Sequence, residues 1–186
     1  MVASTRKGRI AFFLLGLSFV VLPFRALAQV NSNVGNVTLS ASVQEFISVS
    51  PGFGTVNFAL LPGAAATGTP TVPITTSWNL KPGGGPTVSL YAYFDSSTAA
   101  LTDGTDNIPS SDVQGNFNSG GFTAFTGAGP FGAAGASLLL FSESISGINK
   151  IKTRSDNLDV RLDLTGLPNL PAGTYTGTMR IQAQAL

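Results

Sequence analysis

Along most of the chain, apolar and polar residues alternate with a period of two, the pattern of strands that bury one face. Val88, Leu90, Ala92 and Phe94 share one register and Ser89, Tyr91 and Tyr93 the other, which predicts a strand over Thr87–Phe94. Asn157–Leu164 repeats the pattern, with Leu158, Val160, Leu162 and Leu164 facing inward and Asp159, Arg161 and Asp163 outward. The closing segment Thr174–Leu186 sets Tyr175, Met179 and Ile181 against Thr176, Thr178, Arg180 and Gln182. The first such register comprises Val37, Leu39, Ala41 and Val43, and it runs on through Ile47 to Val49. Glu45 falls on that apolar face, which predicts a bulge or bend beside it.

Shorter signals fill the intervals. Phe53–Phe58 is a brief strand candidate, and Thr71–Trp78 is a β-branched run. Val113–Asn118 and Phe122–Thr126 flank Ser119-Gly120-Gly121, a glycine-containing hairpin signal. Ser137–Ser144 is apolar but too short for a helix, so it reads as a buried strand. Glycine and proline make up 30 of the 158 residues after position 28 and fall between these segments. The pattern predicts an all-β chain of eight or nine strands, without a helix beyond residue 28. Two sheets that each have one apolar face bury each other, so the expected fold is an antiparallel β-sandwich, with a closed barrel as the alternative. A membrane barrel fits poorly, because the strands are uneven and lack aromatic girdles.

The N-terminus has a different pattern. Arg6, Lys7 and Arg9 precede an uncharged apolar run, Ile10–Phe24, and Ala26-Leu27-Ala28 offers small residues at both positions a signal peptidase reads. Residues 1–28 are therefore expected to be a signal peptide, and residues 29–186 a single exported domain. The run has 15 residues, short of the roughly 20 that a spanning helix needs. No membrane span is expected once it is removed. Removal changes the charge: the whole chain is +1, but after residue 28 six basic residues face nine acidic ones. A mildly acidic chain without a basic run argues against nucleic acid as a partner. Lys150, Lys152 and Arg154 form the one basic cluster, followed by Asp156 and Asp159, and read as a solvated face.

The chain contains no histidine and no cysteine. That removes the Ser-His-Asp triad, thiol nucleophiles, imidazole or thiolate zinc sites and disulfides. Asp95, Asp103, Asp106, Asn107 and Asp112 crowd one loop and could supply oxygen ligands to calcium, but they lack the alternation and distal glutamate of an EF-hand, and such residues are ordinary turn formers. Ser155-Asp156-Asn157 matches one element of serine β-lactamases, without the Ser-x-x-Lys and Lys-Thr-Gly elements that chemistry requires. Glu45 and Glu143 are the only glutamates, and a glycosidase pair would need carboxylates across a cleft. The expectation is no enzymatic activity, no catalytic, metal or cofactor-binding residues, and no cofactor. Tyr91 and Tyr93 could stack on sugar rings or lie beneath a loop. Phe117, Phe122, Phe125 and Phe131 could anchor the glycine-rich connection or present a contact surface.

The end of the chain carries the most specific text. Leu170-Pro-Ala-Gly-Thr-Tyr175, followed by a terminal alternating strand, resembles the end of secreted bacterial pilin-like domains of the spore-coat-U and archaic chaperone–usher type. The resemblance implies an incomplete immunoglobulin-like sandwich, completed by strand addition from a neighbouring copy or another surface subunit. It further implies that the donor would be Gln29–Val43, with Val30, Val34, Val37, Leu39, Ala41 and Val43 as its inserted side chains. The chain would then be an exported structural or adhesive cell-surface subunit, and the alternative is a monomeric secreted binding module for a glycan.

Overall fold

The computed structural model describes residues 30–186 apart from Pro82 and Gly84. The expected signal peptide, 1–28, lies outside the described residues. The chain divides into Met1–Ala41 and a compact unit, Ser42–Leu186. In the first, residues 30–41 form no strand.

The described residues form eleven strands. In chain order they are β1 (Phe46–Pro51), β2 (Ala65–Thr67), β3 (Val72–Asn79), β4 (Thr87–Tyr93), β5 (Leu101–Thr102) and β6 (Asn107–Ile108). Then follow β7 (Val113–Phe117), β8 (Phe122–Ala124), β9 (Ser137–Ser144), β10 (Ile151–Asp163) and β11 (Arg180–Ala185). The larger sheet has the order β1-β3-β10-β7-β8, with β2 paired to the end of β10. The smaller has the order β11-β4-β9, and β5 and β6 form a separate ribbon. All pairs are antiparallel. The sheets end at β1, β8, β9 and β11 without closing on each other, so the fold is an open β-sandwich and the barrel alternative is set aside.

Alternation determines the core. Val88, Leu90 and Ala92 of β4 join Ile74 and Trp78 of β3, Val113 of β7 and Leu158 and Leu162 of β10 in one buried cluster. Leu158, Val160, Leu162 and Leu164 are all buried as expected, although Leu164 already belongs to a 3₁₀ turn, Leu164–Gly166, capped by the Asp163 carboxylate. The hairpin at Ser119-Gly120-Gly121 joins β7 to β8, with Asn118, Ser119 and Gly121 at positive φ. In the connection before β9, Gly132 sits at φ +76°, and a Cβ there would lie 2.5 Å from the Phe94 carbonyl oxygen. Only glycine meets both demands.

Four expectations are corrected. The strand read over Val37–Val43 is absent, because nothing among the described residues pairs with it, and the first described strand begins at Phe46. The bend expected at Glu45 is a strand start, where its carboxylate accepts the Lys81 N–H. Phe53–Phe58 and Thr174–Met179 are not strands, and each makes one isolated bridge, Asn57 to Thr69 and Thr176 to Thr102. Finally, β10 starts at Ile151 rather than Asn157, since β3 offers it a partner from Asn79 onward. The strand count exceeds eight or nine because β2, β5 and β6 are two- or three-residue pieces inside segments that read as loop.

Candidate functional site

A groove of about 790 Å³ opens along one side of the compact unit. Its floor is core, including Val113, Val160 and Leu162. Its walls come from the two segments that fail to become strands: Val56 and Phe58 from one, Tyr175 and Met179 from the other. These wall side chains are half-buried. Among the described residues, none that lines the groove is a carboxylate, lysine or arginine. The lining therefore offers apolar contact and backbone groups, without acid–base pairs.

The backbone of the walls explains why they are irregular. Asn57 exchanges both its amide groups with Thr69, at 2.8 and 2.9 Å, and Thr176 does so with Thr102, at 2.9 Å each. In an extended chain, successive residues point their N–H and C=O groups to opposite sides. Val56 and Phe58 on one wall, and Tyr175 and Gly177 on the other, make no backbone hydrogen bond among the described residues. Gly177 has a separate constraint, because a side chain there would overlap the Ala100 carbonyl. An extended segment laid between the walls would supply the missing partners on both sides.

An extended segment with matching chemistry precedes β1. Val37 is 84% exposed, Leu39 91% and Val43 83%. Residues 30–45 contain no strand. Thr38, Ser40 and Ser42 alternate with Val37, Leu39, Ala41 and Val43, so one face is apolar and the other hydroxylated. The run therefore exposes large apolar side chains at strand period.

The basic cluster does not form a solvated face. In β10 the even positions point between the sheets, so Lys152, Arg154 and Asp156 share the inner face with Leu158 and Leu162, while Lys150 is exposed. Glu143 of β9 meets them from the other sheet: Lys152 Nζ lies 2.6 Å from its Oε1 and Arg154 Nη1 3.1 Å from its Oε2. Arg154 also pairs with Asp156 at 2.7 Å and stacks 3.9 Å above the Phe141 ring. Burial alone would raise both acids. Hydrogen bonds from Lys152 and Asn149, with the charges of Lys152 and Arg154, bring Glu143 below its ordinary value. Arg154 and Asn118 do the same for Asp156. The sequence carries no signal for this cluster, because Lys152–Asn157 is polar throughout and the alternation there appears only in burial.

The remaining candidates have structural roles. Asp95 pairs with Arg180 at 2.9 Å, and Asp103 Oδ1 accepts the Thr105 and Asp106 N–H groups at 2.9 and 2.8 Å. Among the described residues, no three acidic side chains gather into a set that could hold a metal. Phe131 packs against both Tyr91 and Tyr93, each with centroids 5.8 Å apart, so the connection before β9 lies on that aromatic pair. Phe125 is buried against Phe94, Phe117 stacks on Phe141, and Phe122 lies 4.2 Å from the Arg161 guanidinium. All four phenylalanines anchor the glycine-rich stretch. Glu45 and Glu143 are each held by the partners given above and do not line the groove. Among the described residues, no helix is long and apolar enough to cross a membrane.

No protein-family model matches the chain, and comparison with curated proteins gives no significant match.

Proposed function

We propose that the protein is an exported, non-enzymatic structural or adhesive subunit of the cell surface that resembles a pilin and assembles by strand addition. Residues Val37–Val43 of one copy enter the groove of the next, with Val37, Leu39, Ala41 and Val43 toward the floor and Thr38, Ser40 and Ser42 toward solvent. One observation carries the reading: the two walls of the groove are strand-patterned segments in which Val56, Phe58, Tyr175 and Gly177 make no backbone hydrogen bond among the described residues, and an exposed strand-patterned segment before β1 lacks a sheet. Insertion would convert both walls to strands and cover the apolar lining. The uncharged lining supports a non-enzymatic role. The signal-like first 28 residues support export.

The test is assembly of the mature full-length chain, followed by sedimentation and electron microscopy. Filaments are expected, and an added peptide spanning residues 30–45 should cap them and shorten the products. A chain that stays monomeric at high concentration and ignores the peptide would refute strand addition. It would leave the secreted binding module as the better reading.

A further inference from the structure

We propose that the side chains of Lys152 and Asn149 become joined by an isopeptide bond, with Glu143 as the proton carrier. This inference does not rest on the groove or on assembly.

Three groups meet at the turn between β9 and β10, two of them bonded to the same oxygen of the third. Glu143 Oε1 accepts from Lys152 Nζ at 2.6 Å and from Asn149 Nδ2 at 2.8 Å, so one oxygen touches both the attacking and the leaving nitrogen. Asn149 Oδ1 accepts from the Ser146 N–H at 2.7 Å and from the Ser146 hydroxyl at 3.2 Å. Those two donors polarise the carboxamide and would hold the negative charge that develops on Oδ1 as the amine adds. The carboxamide is held in place by further bonds. Its Nδ2 also donates to the Ser144 carbonyl at 3.0 Å, and the Asn149 main-chain oxygen accepts from the Trp78 indole at 2.9 Å. An electrophile and an amine held by one carboxylate oxygen lower the entropic barrier to an otherwise slow reaction. The reaction need occur only once per chain.

The step balances without any co-reactant. Lys152 passes one ammonium proton to Glu143, and the neutral amine attacks Asn149 Cγ to form the N–C bond. Glu143 relays protons from Nζ to Nδ2, the Cγ–Nδ2 bond breaks, and nitrogen departs as an ammonium ion while the carboxylate is regenerated. Lys152 loses its charge in the product, but Glu143 keeps a cation, because Arg154 Nη1 remains 3.1 Å from its other oxygen. The Lys152 side chain is 39% exposed, which leaves a route for the ammonium ion, while Glu143 at 18% and Trp78 at 1% limit competing water. In a chain without cysteine, this bond would fasten the turn that connects the two sheets.

Intact mass spectrometry of the folded, exported full-length protein tests the proposal. The wild type should weigh about 17 Da less than its sequence requires, one ammonia per chain. Lys152→Arg keeps the charge but removes the nucleophile and should restore the full mass, as should Glu143→Gln. A succinimide at Asn149 would also lose ammonia, so Lys152 must in addition resist acetylation and tryptic cleavage after denaturation. Full mass in the wild type would overturn the proposal. So would a mass deficit accompanied by a freely acetylated Lys152, or one that persists in Lys152→Arg.

Discussion

Leu39→Ala separates folding from assembly. Leu39 is 91% exposed in the single chain, so truncating it removes almost no buried surface. The expected change in folding stability is within about 0.5 kcal/mol. For a domain of this length that is a shift in melting temperature of under about 2 °C. Assembly should respond differently. If Leu39 enters the groove of the next copy, the substitution removes three carbons from an apolar contact, each contributing about 0.8 kcal/mol, or roughly 2.4 kcal/mol per junction. That corresponds to an elongation equilibrium about 50-fold weaker. The assay is the critical concentration of mature protein, read as the unsedimented fraction across a dilution series, with melting curves on the same samples. Ser40→Ala serves as the control, because Ser40 lies on the opposite face and should leave both quantities unchanged. A fall in melting temperature of many degrees would mean that the segment is a strand of its own domain. An unchanged critical concentration would mean that Leu39 does not enter the junction.

Two further predictions concern the sandwich itself. Leu162 is fully buried, so Leu162→Ala should destabilise by about 2–5 kcal/mol, whereas Arg161→Ala loses a half-exposed stack on Phe122 and the hydrogen bonds to Gln114 and should cost about 1 kcal/mol or less; urea denaturation of both variants checks the ratio. Acid should weaken the fold through Glu143 and Asp156. Both titrate below their ordinary values of 4.5 and 3.8 when folded, so the unfolded chain takes up protons first. Their stabilising contribution is complete above the unfolded values and is lost as pH falls through the lower folded ones. Asp103 and Asp163, also lowered, act in the same direction, while Asp112, raised by burial, opposes them. Denaturation midpoints should therefore be level from about pH 7 to 5 and drop below about pH 4, and Arg154→Met should flatten that drop.

The strands that pack one face on the common core were legible in the sequence: β4 and the second half of β10 from alternation, β3 from its β-branched run, β7 from the hairpin signal and β9 from its short apolar run. The first half of β10 was harder to read. Lys152, Arg154 and Asp156 occupy its buried register, and charge suggests solvent unless the partner Glu143, contributed by a different sheet, is known. β5 and β6 are two residues each, below the length at which any period can be counted. The acidic residues around them read mainly as turn formers, with cation ligands as the lesser reading. In the fold Asp103 caps its own loop and Asp95 meets Arg180.

The mismatches between pattern and structure are not scattered. Val37–Val43, Phe53–Phe58 and Thr174–Met179 all alternate or carry strand-forming residues, and none forms a strand within the single chain. Two of them border the same groove, and the third is an exposed segment with one apolar face. Sequence pattern records the environment in which a segment is stable, whereas a strand also requires hydrogen-bonding partners. Where the pattern is present and the partner is missing, the proposed insertion supplies the partner from another copy of the chain. Independent irregularities would require three separate causes, one for each segment. A single inserted strand accounts for all three, because its apolar face, its own pairing and the pairing of both walls are satisfied in one step.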